Sequence, residues 1–121
     1  AEFDSRTPLC ADEESLKPMG KAAEEAGLGF RSSFSLPHYV PADSDFVRTL
    51  LECYEKYSGE KGQCLSTGGG TYVHGIENAV AFGCSMPGQD NQMHGPDEWA
   101  SVDTLLMSGM IFTEAVVQLC R

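Results

Sequence analysis

Basic residues are scarce in this chain. Its 121 residues include 8 Lys and Arg against 18 Asp and Glu, a formal net charge of −10. A nucleic-acid binder needs a basic face to displace counterions, and an anionic bilayer attracts basic chains, not acidic ones. Neither partner is expected. Also missing is any apolar run near the ~18 residues of a bilayer-spanning helix. No basic segment followed by an apolar stretch marks a secretory signal. The 5 cysteines, Cys10, Cys53, Cys64, Cys84 and Cys120, are odd in number and never stand at C-x-x-C spacing. That argues against a disulfide scaffold and a zinc knuckle, and points to reduced thiols in the cytoplasm. The glycine run at 68–70 is followed by no P-loop lysine and does not fit G-x-G-x-x-G. No segment repeats. The start at Ala1 rather than Met points to a fragment or a processed chain.

What is present reads as alternating helices and strands. Residues 1–6 suggest an extended segment stopped by Thr7-Pro8. Asp12 to Ala26 has helical periodicity in Leu16, Met19, Ala22, Ala23 and Ala26, with Pro18 marking a kink or a start and Gly27 a stop. Leu28, Phe30, Ser32, Phe34 and Leu36 alternate as a strand would. The stretch from Pro37 to Pro41 is bracketed by prolines and reads as a crossover.

A second helix is capped by Asp43 or Ser44, carries Phe46, Val47, Leu50, Leu51, Tyr54 and Tyr57 on one stripe, and ends at Gly59. Short strands are expected at 62–66 and at 79–84, with a glycine turn and a short helix (71–78) between them. After a polar loop at 85–100, Ser101 caps a long apolar helix reaching about Cys120. The expected fold class is therefore α/β: strand–helix–strand over 1–36, a linker at 37–41, and an α/β layer over 42–121. Neither part has enough strands to close a core of its own.

Few residues could carry chemistry. His94 lies in a polar loop between a strand candidate and a helix, where α/β proteins place sites. On pattern alone it reads either as a surface histidine, the commoner case, or as a metal ligand oriented by Asp97 or Glu98. One histidine does not make a zinc site, which takes three or four protein ligands. The turn at Gly68, Gly69 and Gly70 could offer backbone N–H groups to an anion or a carbonyl, or serve only as a tight turn. Arg6 could pair bidentately with a carboxylate, or form a surface salt bridge with Asp4 or another acid, the commoner case. His74 and Glu77 share a helical spacing that more often marks a solvated face. The cysteines have no neighbouring base and read as packing residues.

The ordered set Ser66-Thr67-Gly68-Gly69-Gly70-Thr71, Ala79-Val80-Ala81-Phe82-Gly83, Pro87-Gly88 and Met93-His94-Gly95-Pro96-Asp97-Glu98 resembles the C-terminal end of the co-catalytic dizinc metallopeptidases. That family includes aminoacylases, glutamate carboxypeptidases and Xaa-His dipeptidases. Pro37-His38-Tyr39-Val40 and the helix after it look like the bacterial dipeptidase-V branch. Asp4-Ser5-Arg6-Thr7-Pro8 is similar to a strand of that family's lid domain.

The resemblance implies that 1–36 is the last strand–helix–strand of a ferredoxin-like lid and 42–121 the C-terminal part of a zinc-binding α/β sheet domain. It implies His94 as a zinc ligand, Arg6 as the grip on the substrate's carboxylate, Gly69 and Gly70 as substrate contacts, and Glu98 as a residue supporting the ligand. It also implies two zinc ions in the intact enzyme and a peptide or N-acyl amino acid substrate. The family's other metal ligands and its general-base glutamate precede the lid and have no counterpart here. No catalytic residue is thus expected in this chain, which should be inactive without the missing N-terminal part. The alternative is a non-catalytic binding or assembly module with the same fold. Association into homo-oligomers is expected from the apolar last helix.

Overall fold

A computed structural model of the chain describes residues 2–83 and 86–121. Two compact units are Ala1–Tyr39 and Val40–Arg121. The described residues form three α-helices: α1 (Lys17–Glu25), α2 (Asp45–Ser58) and α3 (Val102–Leu119).

In the first unit, Asp12 opens a 3₁₀ turn, Glu13–Leu16, through a reciprocal cap with Ser15. The turn leads into α1, with Pro18 in its first turn, where the missing N–H costs nothing. Gly27 takes φ 68° and stops the helix, while the Leu28 N–H donates to the Ala23 carbonyl at 2.9 Å. Phe30 folds back so closely on α1 that a Cβ on Gly20 would stand 3.2 Å from its ring. No described residue of this unit is buried.

The second unit is built on α2 against α3. The Ser44 hydroxyl accepts from the Val47 N–H at 3.3 Å, and Gly59 at φ 71° closes α2. Ser101 caps α3 in the same way. Leu50 and Cys53 of α2 meet Ile111 and Ala115 of α3, and these four form the buried centre. Phe46, Tyr54, Tyr57, Val80, Phe82, Met86 and Met107 pack around it. Phe82 stands edge-on to Phe112, with ring centroids 5.3 Å apart and planes at 82°.

The α/β fold class expected from the sequence is not what forms. Among the described residues there is no β-strand, so neither the strand–helix–strand lid nor the sheet layer exists in this structure. The physical reason is pairing. An isolated strand has no partner for its N–H and C=O groups and becomes stable only in company. At 28–36 the alternating pattern is present, yet Leu28 and Leu36 are exposed and no second strand is there to pair with among the described residues. At 79–83 a continuous apolar run reads as a strand buried on both faces, but the path is irregular: Val80 and Phe82 reach the core while Ala81 and Gly83 are exposed. Cys84, the end of that expected strand, lies outside the described residues. The segment 62–66 is irregular, and 71–78 is a series of turns rather than a helix. One further expectation is corrected. α3 is long and apolar enough, by length and composition, to cross a membrane.

Candidate functional site

The loop that carries His94 is ordered by its own hydrogen bonds. The Trp99 N–H donates to the Asn91 carbonyl at 3.2 Å and closes the loop at its base. Inside it, the Gly95 N–H donates to the Gln92 carbonyl at 2.6 Å, and the Gln92 N–H donates to Asp90 Oδ1 at 3.0 Å. Gln92, His94 and Asp97 all adopt left-handed backbone conformations, with φ of 55°, 62° and 60°. Such conformations are uncommon for residues with a Cβ and cost of order 1 kcal/mol or more. Gly95 is where the turn is tightest, since a Cβ there would lie 2.9 Å from the Gln92 carbonyl oxygen. The loop is moored to the helix that follows by buried Thr104 of α3, whose hydroxyl donates to Gln89 Oε1 at 3.2 Å. His94 is thereby held on an exposed tip near the start of α3, with Glu98 in the same loop.

The other expected residues stand elsewhere. Gly69 and Gly70 are exposed, and neither is among the glycines with positive φ, which are Gly27, Gly59, Gly75 and Gly88. The turn they form is fixed instead by the Thr67 hydroxyl, which accepts from the Gly69 N–H at 3.1 Å. Arg6 belongs to the first unit and pairs with Asp4 at 2.7 Å, with both side chains largely exposed. Among the described residues, no three His, Cys, Asp or Glu side chains converge on one point.

The most developed polar cluster went unrecognised in the sequence. Glu114 of α3 accepts from the Tyr57 hydroxyl at 3.1 Å and from Gln118 Nε2 at 2.8 Å, and it ion-pairs with Lys56 at 3.0 Å. The Gln118 amide, Lys56 and Tyr57 together hold its carboxyl down at about 2. Lys56 is raised above its usual value, chiefly by its hydrogen bond to Glu114. A groove of about 250 Å³ runs beside the cluster, lined by Thr49, Glu52, Cys53, Lys56, Glu114 and Gln118. Burial, with Glu114 nearby, pushes the Cys53 thiol up, which disfavours the thiolate. None of the residues expected from the sequence lines this groove. The cluster binds α2 to α3, and its one visible signal was a Glu and a Gln four residues apart in an otherwise apolar helix.

Comparison with known proteins gives the chain its family. It is 36% identical over 117 residues, 96% of its length, to YtjP of Bacillus subtilis, a protein named as a dipeptidase. It is 39% identical over 90 residues to the Beta-Ala-Xaa dipeptidase of Lactobacillus delbrueckii subsp. lactis, a match covering 74% of this chain. A Staphylococcus epidermidis protein, also named as a dipeptidase, is 33% identical over 84 residues, or 69% of this chain. The chain belongs to the dipeptidase family. It corresponds to the C-terminal part of these relatives and spans 25%, 19% and 18% of their respective lengths. No protein-family profile matches the dipeptidase-family chain, and no solved structure does.

Proposed function

We propose that this chain is the C-terminal portion of a zinc-dependent dipeptidase or related amidohydrolase, and that it grips substrate and contributes one metal ligand rather than performing the bond cleavage. The observation that carries the reading is the 36% identity to YtjP across 96% of the chain. The residues present do not fit a zinc centre by themselves, because His94 has no convergent set of further ligands among the described residues. His94 would be a single donor to a centre completed by polypeptide outside this chain, with Glu98 steadying its imidazole.

Arg6 would bind the substrate's terminal carboxylate. Its present partner, Asp4, makes an exposed pair of the weak kind that a substrate carboxylate can replace. The Gly69 N–H is already engaged by Thr67, so Gly70 is the better candidate for a backbone contact to substrate. Alone, the chain would hydrolyse nothing. A cytoplasmic setting fits the absence of disulfides among its described cysteines.

The test is to replace the matched C-terminal quarter of YtjP with this chain and assay dipeptide hydrolysis. Substituting His94→Ala should lower bound zinc and activity together. Arg6→Ala should raise KM by about 10- to 100-fold, the value of a charge-assisted hydrogen bond. Unchanged kcat/KM and zinc content in both variants would overturn the assignments.

A further inference from the structure

The helix α3 buries only Ile111 among its large apolar residues and leaves most of the others exposed. Thr104, Ser108, Ile111 and Ala115 are buried on one face. On the opposite face by helical spacing stand Val102, Leu106 and Val116, exposed by 70%, 64% and 60%, with Leu105 and Met110 at its margins. Asp103 stands at one edge of this face and Thr113 within it, and the rest of the face is apolar. A helix apolar on nearly all sides belongs in the interior of a larger protein or in a membrane. Gly109 sits in the middle of the stripe. Glycine there weakens a helix, and a Cβ would meet nothing within 4 Å. An open position that keeps a costly residue fits a surface that another backbone approaches closely.

We infer that the outer face of α3 is the docking surface for the polypeptide that, in the dipeptidase relatives, lies outside the match. The inference rests on the reading of this chain as the C-terminal portion of such an enzyme. The matched region is only 25% of YtjP, so the relatives carry ample sequence to cover the stripe. A second copy is the poorer occupant, because each chain brings a net charge of −10 and like charges oppose association. Lipid is poorer still, because the same charge is repelled by anionic bilayers, and Glu114 on this helix is ion-paired to α2.

The experiment compares the chain alone with the YtjP fusion described above. The rate of Met110 oxidation by dilute peroxide reads the cover directly, and should fall about 10-fold or more in the fusion if the sulfur is buried there. Leu106→Lys should leave the melting temperature of the chain alone unchanged and lower that of the fusion by at least about 5 °C. Gly109→Ala should raise the first and lower the second.

Equal Met110 oxidation in both proteins would overturn the inference. So would a drop of about 5 °C or more for Leu106→Lys in the chain alone, since the face would then already be covered. Sedimentation of the chain as a dimer that Leu106→Lys dissociates, or its flotation with phosphatidylcholine–phosphatidylglycerol vesicles, would assign the face to a second copy or to lipid. Hydrolysis is scored separately. An inactive fusion that protects Met110 would remove the proposed function and leave the docking surface, and an active fusion with Met110 unprotected would do the reverse.

Discussion

Glu114 ties the second unit together with three partners from two helices, and its titration gives the acid behaviour of the fold a sign. Its carboxyl is held at about 2 against an ordinary 4.5. A lowered folded value means stability that is fully present above 4.5 and is lost as the pH falls toward 2. Lys56 is raised above 10.5, so its share is present below that pH and is lost as the pH climbs through its higher folded value. Urea midpoints at pH 7 and pH 3 check this. The native chain should lose more between the two than Glu114→Gln does, and equal losses would mean the carboxylate is not the group responsible. The cluster was hidden in the sequence because its members come from separate helices and meet only once α2 and α3 pack. The loop that carries His94 was legible because a polar run before a capped helix is a local pattern. The left-handed conformations of Gln92, His94 and Asp97 had no such signal.

At the scale of elements, the three α-helices that form were legible, whereas the extended segments and the turns at 71–78, expected as a helix, were not. Caps are local: Ser44 and Ser101 each start a helix with a side-chain acceptor for the N–H three residues on, and Gly27 and Gly59 end one with positive φ. Ser44→Ala should cost about 1 kcal/mol, the usual worth of such a cap. Ser101→Ala should cost less, since its bond to the Thr104 N–H is the longer, at 3.5 Å against 3.3 Å. Thermal unfolding followed by circular dichroism at 222 nm separates the two (the wavelength where helix loss is read), and a larger loss for Ser101 would contradict the argument. Strands have no local equivalent of a cap. The alternation from Leu28 to Leu36 and the apolar run from Ala79 state which side chains would turn inward, but a ladder needs a neighbouring backbone that these segments do not find. The apolar run at 79–83 was visible, but that Val80 and Phe82 alone of it pack on the core, and along an irregular path, was not.

For the whole molecule, the distribution of burial decides what should survive division. Among the described residues, every buried one lies between Val47 and Ala115, inside the second unit. The first unit carries a short helix and a ring folded against Gly20 but buries nothing, and so short a segment cannot supply a core. Residues 40–121 should therefore unfold cooperatively on their own, with a melting temperature within about 4 °C of the full chain, corresponding to less than about 1 kcal/mol. Residues 1–39 should show no transition. Brief proteolysis of the full chain should cut first on the N-terminal side of α2 and leave a resistant fragment containing α2 and α3. Loss of the transition in 40–121 would mean that the N-terminal unit contributes to the stability of the α2–α3 pair. The consequence for function follows from where Arg6 sits. The proposed substrate grip lies in a unit without a core, and an exposed pair with Asp4 fixes its arginine only weakly. Mobility of the Arg6 segment should therefore exceed that of the hydrogen-bonded His94 loop. Amide hydrogen exchange tests this: residues 2–9 should exchange at nearly unprotected rates, while the Gly95 and Trp99 amides, both donors within their loop, should exchange more slowly.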